Sequence, residues 1–502
     1  MGLKGSCVWC ATKNHTYATP SQVTLSLMQL KTTPFSHQRE LYERTRELNR
    51  YALFWEQGTG KTKPTIDTAA WLHMQGKIDG LLVLAPNGVH RNWVSDEIPA
   101  HMPDCVSYSA HTYHSSKAGN KAHKDACKRL LEAPGLAVLA MSYDAAVTKD
   151  GSKLLEAFLA KRKCLYVLDE ATRIKNPSAK RTKAVLLTAR LAAYRRILTG
   201  TPIANGPFDC FAMMKFLKLD FWKDYCMESF FVFKHHFGIW KQGMAAGRQF
   251  SYVVGYRNLE QLHAILKDHS SRVTKDQVLD LPPKLYSKRY FQMNKEQVRV
   301  YNDLKDEFMT FLDGQLVTAP LVITRMMRLQ QVTSGYVPFD GATAVQQLGE
   351  DNPRMKLLEE ILEDMPHKAI IWAKFTKDID LIVALVGSEG VRYDGSTSPD
   401  DRAKAIEAFQ RGNAKYFVAN PAAAGEGLTL HAAQTVVYYN NSFKLTDRLQ
   451  SEDRAHRIGQ AHPVSYIDLV AEDTIDEHVV KSLVKKSDIA RTILGDDIKK
   501  WI

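Results

Sequence analysis

The sequence predicts an α/β fold of two lobes, each built on a parallel sheet, with a mainly helical insertion between them. Three observations carry this. From Gly80 onward, short apolar runs alternate with amphipathic or polar stretches, and the same rhythm returns late in the chain. A glycine-rich loop, EQGTGKT at 56–62, stands ahead of the first series. Between the two series the composition shifts towards Phe, Met, Lys and aromatic residues, and Pro282-Pro283 breaks the pattern.

In the first series the runs at 81–85, 136–140 and 165–168 are apolar at successive positions, and with the shorter Arg196–Leu198 they read as strands buried on both faces. Each ends in a loop rich in Gly, Pro, Asp, Ser or Thr, and a helical pattern lies between, for example at 152–160. Strand–helix alternation of this kind predicts a parallel sheet covered by helices. From Phe208 to about Arg328, helical spacing appears at 259–267 and 296–312. The Gly, Pro and polar content of 335–352 reads as a linker. The second series follows at 369–372, 416–419, 436–439 and 464–469. The expected divisions are an N-terminal extension at 1–33, a first lobe at 34–217, the helical region at 218–350 and a second lobe at 351–502.

Bulk properties narrow the class. A hydrophobic fraction of 45% and a charged fraction of 24% match an ordinary globular protein. No apolar run approaches the ~18 residues needed to span a bilayer, and the N-terminus lacks the pattern of a secretory signal. Lys and Arg number 67 against 55 for Asp and Glu, a net charge of +12 that favours a polyanionic partner, nucleic acid first. Seven cysteines, mostly scattered singly, suggest reduced thiols and a cytoplasmic setting. Cys7 and Cys10, with His15 following, form the one local pair; a zinc site takes four ligands and no second pair accompanies them. Met1-Gly2 with Ser6 matches the N-myristoylation pattern formally, with no polybasic second anchor.

The residues able to carry chemistry lie at the loop ends. Glycines at 58 and 60, flanking Thr59, let backbone N–H groups approach phosphates, Lys61 adds a point charge, and Thr62 offers its hydroxyl to Mg²⁺. Trp55 stands where the simplest pattern has its first glycine. Tyr166-Val167-Leu168 delivers Asp169 and Glu170 to the C-terminal edge of a sheet, where ligands of such folds bind. There Asp169 would hold Mg²⁺, and Glu170 would position and deprotonate an attacking water. Arg454 and Arg457 are three apart and on a helix would share a face. Delivered across a cleft, they would stabilise the charge that builds up on a γ-phosphate. Each motif has a plainer reading (a glycine turn, an exposed acidic turn, a solvated basic face), but all three in this order point to an ATP site.

Further segments lie between and around these: FSHQ at 35–38, LAP at 84–86 with Asn92-Trp93 downstream, DEATRIKN at 169–176, and LTGTP at 198–202 followed by Asn205. RVTKDQVLDLPPK at 272–284, YDGST at 393–397 with Arg402, AGEGLTL at 424–430 and QSEDRAHRIGQ at 450–460 complete the series. In this order they resemble the Snf-type (SWI/SNF-like) ATPases of helicase superfamily two, from about Pro34 to Lys486. The resemblance implies two RecA-like lobes, with ATP held by Gln38 at the base, by the loop around Lys61, and by Gly425 and Gly427. It implies nucleic-acid contacts at Pro86, Asn92, Asn176, Thr201, Lys374, Ser396, Thr397 and Thr429. Two departures concern strand contact rather than ATP: Thr429 stands where the family usually has Asn, and Phe443-Lys444-Leu445 replaces a typical Trp-Asn-Pro.

The resemblance further implies that ATP closes the two lobes and steps them, as a monomer, along one strand of duplex DNA. Backbone contacts would make binding salt-dependent and largely sequence-independent. RNA stays open, because backbone readers tolerate it unless 2′-OH contacts discriminate. With no accessory segment visible beside the motor, a bacterial or viral protein is expected. Two alternatives remain: a strand-separating or annealing helicase at forks, and a nucleic-acid-binding scaffold with a decayed ATP site.

Overall fold

The computed structural model describes residues 29–245, 248–314, 319–338, 345–423 and 428–496. The first-lobe strands are β1 (Arg50–Trp55), β2 (Gly80–Ala85), β3 (Tyr108–Thr112), β4 (Leu136–Ser142), β5 (Cys164–Asp169) and β6 (Tyr194–Leu198). The middle of the chain holds β7 (Gly238–Ala245), β8 (Arg248–Tyr256), β9 (Ser270–Val273), β10 (Lys284–Phe291), β11 (Tyr336–Pro338) and β12 (Val345–Gln347). The second-lobe strands are β13 (Ala369–Trp372), β14 (Gly390–Tyr393), β15 (Tyr416–Ala419), β16 (Thr435–Tyr438) and β17 (Val464–Ala471).

Two sheets, parallel throughout, organise the molecule. The first runs β3-β4-β2-β5-β6-β1-β9 and the second β10-β17-β16-β13-β15-β14. All residues of β2, β4 and β5 are buried, because helices cover both sheet faces. Successive residues divide between two cores: Leu82, Leu84, Leu139 and Tyr166 pack on one side, and Leu81, Val83, Val138 and Leu165 on the other. Ile370 and Trp372 likewise face one core of the second lobe, and Ala369 and Ile371 the other. Among the described residues no helix is long and apolar enough to cross a membrane.

The region 218–350 holds the expected helices Leu259–Lys267 and Lys295–Gly314, but it is not helical alone. It also carries an antiparallel ribbon, β7–β8, and gives one edge strand to each lobe. β9 pairs with β1, and β10 pairs with β17 over eight residues, Lys284↔Val464 to Phe291↔Ala471. Both strands are inconspicuous in the sequence for a physical reason. β9 is four half-buried residues, and β10 mixes polar and apolar side chains on both faces, with Leu285 and Tyr290 exposed and Lys284 and Lys288 half-buried. The stretch 335–352 is likewise more than a linker: β11 and β12 pair antiparallel, and Asn294 Nδ2 donates to the carbonyls of Leu348 and Asp351.

Candidate functional site

β1 ends at Trp55 and the chain turns through the glycine-rich loop into the helix Thr62–Met74. The FSHQ segment docks on that loop. Gln38 Nε2 donates to the Gly60 carbonyl at 2.9 Å while its Oε1 accepts from the Phe35 amide, and His37 Nε2 lies 2.9 Å from the Thr59 carbonyl oxygen. Gln38, expected on the adenine, is here buried against the loop with both ends of its amide engaged. Trp55 packs against His37 with ring centroids 5.1 Å apart and donates its indole N–H to Ser271 Oγ at 2.8 Å. It therefore sits beneath the loop on the β9 side. Lys61 Nζ is folded back onto the Trp55 and Glu56 carbonyls at 3.0 and 3.1 Å.

Gly60 has φ +78°, and a Cβ there would lie 2.3 Å from Gln38 Nε2. The left-handed backbone costs a non-glycine residue about 1–2 kcal/mol before any clash. Gly60→Ala is therefore expected to weaken nucleotide binding about tenfold or more, read by titration with a fluorescent ADP analogue. Affinity equal to wild type would mean that Gln38 is not held against this loop.

The acidic pair stands two strands away in the sheet. Asp169 closes β5, and Trp93 Nε1 donates to its Oδ2 at 2.9 Å. Glu170 follows at φ +50°, a left-handed conformation that a non-glycine residue adopts only when its surroundings impose it. Its Oε1 accepts from Gln57 Nε2 at 3.1 Å; its Oε2 is buried with no hydrogen-bond partner among the described residues. Burial raises both carboxyls above their ordinary values, and Lys61 opposes the rise in each. An orphaned, dehydrated carboxylate oxygen beside a second buried carboxylate suits a bound water and a divalent cation.

Arg454 and Arg457 come from the second lobe. The helix Leu445–Ala455 stops between them, so they do not share a helical face as their spacing predicted. Arg457 lies beyond the helix end, yet both guanidiniums donate to the Leu428 carbonyl, at 3.3 and 3.1 Å. The helix itself is held on its sheet by buried charge: Arg448 pairs with Glu452 and Asp468 and lies 3.6 Å over the Tyr438 ring. Lys61, Thr62, Asp169 and Glu170 of one lobe and Arg454 and Arg457 of the other thus line one cleft of about 360 Å³.

The connection between the lobes clasps this cleft, which sequence reasoning missed. Lys275 is buried; its amide donates to Glu56 Oε2 at 2.9 Å, and its Nζ reaches Asp453 Oδ1 and the His456 carbonyl, both at 2.6 Å. One residue, through its backbone amide on one side and its ammonium on the other, therefore ties the loop after β1 to the arginine-bearing segment. Arg272 adds ion pairs to Glu56 and Asp496, and Lys284 one to Glu452. A lysine inside TKDQV reads as surface charge; only the fold buries it. Removing one partner of a buried pair costs about 3–5 kcal/mol. Lys275→Met should accordingly lower the thermal midpoint by several degrees, and adding Asp453→Leu should restore most of the loss. Additive losses in that double-mutant cycle would show that the two groups are not coupled.

The residues expected on nucleic acid scatter. Asn92 lines the cleft beside Trp93 instead of lying apart from it. Pro86 follows β2, its carbonyl 3.2 Å from His90 Nδ1. Asn176 is exposed, its Oδ1 accepting from the Ser178 amide and hydroxyl, and Thr201 Oγ1 is buried without a partner among the described residues. Burial lowers Lys374 to about 8, and its Nζ donates to Gln330 Oε1. Ser396 and Thr397 both donate to Asp394 Oδ1, and Thr429 adjoins Leu428, the carbonyl acceptor of both arginines. Gly425 and Gly427, and the N-terminal Cys7, Cys10, His15 and Met1-Gly2 patterns, lie outside the described residues. Elsewhere His111, His123 and Cys127 lie together, but the histidines form a chain. The His114 amide donates to His123 Nε2, and His123 Nδ1 meets His111 Nε2 at 3.3 Å. That arrangement engages both ring nitrogens of His123.

Residues 39–335 match the SNF2-related domain family, and residues 353–459 match the helicase conserved C-terminal domain. The chain is 28% identical over 450 residues to the human "SWI/SNF-related matrix-associated actin-dependent regulator of chromatin subfamily A member 1", covering 85% of this chain and 40% of that protein. It is 27% identical over 448 residues to a "Probable chromatin-remodeling complex ATPase chain" of Oryza sativa subsp. japonica, covering 86% and 38%. The chain thus spans about two fifths of the length of these curated relatives. Among solved structures it is similar to the Sulfolobus solfataricus SWI2/SNF2 ATPase core in complex with dsDNA, with 22% identity, a TM-score of 0.40, and coverage of 93% of this chain and 98% of that one.

Proposed function

This chain belongs to the SNF2-related domain family, and from that premise we propose that it is an ATP-hydrolysing motor that moves on double-stranded DNA. One observation carries the reading: a loop lysine, a buried acidic pair and two arginines, drawn from both lobes, line a single cleft. Loop amides and Lys61 take the phosphates, with Lys61 leaving its carbonyl partners to do so. Thr62 and Asp169 are the residues that would hold Mg²⁺, which neutralises phosphate charge when bound. Glu170, with one oxygen anchored by Gln57 and the other open, accepts the proton of the attacking water. Arg454 and Arg457 stabilise charge on the γ-phosphoryl group from the far side. Because one cleft needs groups from both lobes, each cycle couples chemistry to lobe closure, and a strand held by both lobes is displaced by it. The net charge of +12 supports a polyanionic track.

The test is steady-state ATP hydrolysis with duplex, forked or single-stranded DNA, or RNA, beside Lys61→Ala. Stimulation by duplex DNA is expected. Stimulation by forks or single strands alone would replace the duplex motor with a strand-separating or annealing one. Turnover no faster than Lys61→Ala under every condition would replace both with a non-catalytic scaffold.

A further inference from the structure

The β7–β8 ribbon plays no part in the cleft, yet it leaves large side chains in water. Phe250 and Tyr252 are 47% and 44% exposed, with ring centroids 5.8 Å apart. The strand register explains their placement. Lys241 pairs with Tyr252 and Gly243 with Phe250, so these four share one face of the ribbon. Trp240, opposite Val253, points to the other face and stacks on Phe208 and His235. A Cβ on Gly243 would lie 2.8 Å from the Phe250 ring, so that ring lies across the glycine with its outer surface open.

Charge selects the occupant. From Ser229 to Leu259 the chain has Lys234, Lys241, Arg248 and Arg257 and no Asp or Glu. Exposed aromatic rings with Lys241 across the ladder from Tyr252, on a segment without negative charge, suit a polyanion whose units carry flat faces. The ribbon's root is anchored on the first lobe: Tyr256 OH donates to the Asn205 carbonyl at 3.2 Å, and its ring packs edge-on against Phe208. Asn205 follows LTGTP, the segment carrying Thr201.

We propose that the outer face of this ribbon, Lys241, Phe250 and Tyr252, is a stacking platform for unpaired bases of a nucleic-acid strand. It rests on the reading of the chain as a nucleic-acid motor and deepens it, since a platform for unstacked bases matters only where a duplex opens or ends. Stacking on rings reads no sequence, so the platform takes any base and prefers flexible pyrimidine runs.

The experiment is fluorescence anisotropy with the full chain, using a 20-nucleotide oligo(dT) and a 20-base-pair duplex as probes. Stacking of one base on one ring contributes enough that removing both rings should weaken oligo(dT) binding roughly tenfold or more. F250A/Y252A and F250L/Y252L should both show this loss, F250W/Y252W should bind within about threefold of wild type, and duplex affinity should stay within about twofold throughout. The leucine pair keeps apolar, strand-compatible side chains and guards against collapse of the ribbon. Oligo(dT) binding by the leucine pair at the wild-type level would overturn the platform and point to an apolar protein partner. Equal losses on oligo(dT) and duplex would overturn it in favour of a general effect on folding. Wild-type binding to duplex without oligo(dT) would overturn the platform and leave the duplex motor standing. Binding to neither probe would remove both.

Discussion

Glu170→Gln is expected to bind ATP with near wild-type affinity and to hydrolyse it on the order of 10²–10⁴-fold more slowly, the range for losing a positioned general base. Glutamine keeps the shape of the side chain and its anchor on Gln57, but its amide cannot take a proton from water. Rapid-quench hydrolysis beside nucleotide titration separates the two effects, and normal turnover would remove Glu170 from the mechanism. A second expectation comes from the same burial. The folded state raises the Glu170 carboxyl above its unfolded value, so ionising it works against folding. Its contribution to stability is present at low pH and lost as pH rises through the folded value. At neutral pH, Glu170→Gln should therefore melt higher than wild type while turning over more slowly, as expected where a site holds a dehydrated charge for chemistry. A lower melting temperature at neutral pH would contradict the burial argument.

Arg457→Ala should lose on the order of 10²–10⁴-fold in kcat with a small change in nucleotide affinity, because a guanidinium aimed at the γ-phosphoryl group acts on charge that develops in the transition state. The side chain is held by the backbone rather than by a helix: it lies past the end of Leu445–Ala455 and donates to the Leu428 carbonyl. Lysine should rescue poorly, since a point charge cannot donate to that carbonyl and to phosphate as a planar fork does. A loss below threefold would make Arg457 a structural tie to Leu428. Equal losses in kcat and affinity would instead place it in ground-state binding.

The parts of the fold that were legible share one physical origin. Strands buried on both faces read as near-continuous apolar runs, so β2, β4, β5 and β13 stand out in a bare sequence. Edge strands have no such constraint. β9 is short and β10 carries polar and apolar residues on both faces, so both vanish into a stretch otherwise read as helical. Lys61, Asp169 and Glu170 were recoverable because a phosphate loop and a strand-terminal acidic pair demand fixed residue types at fixed local spacing. Asn92, by contrast, was assigned to nucleic acid from position in a motif, and its place on the cleft wall depends on how the turn after β2 folds back.

The α/β class, the two-lobed order and the chemical types at the cleft are each set by local pattern: apolar runs, glycines at a turn, charges at strand ends. What those groups meet is set by how distant segments pack. The Leu428 carbonyl gathers two arginines that a helix end separates. Gln38 engages its amide on Gly60, and Lys275 meets Glu56 from 219 residues before it and Asp453 from 178 residues after it. Such contacts depend on packing between segments far apart in sequence, and no local spacing records which buried charge will find which partner.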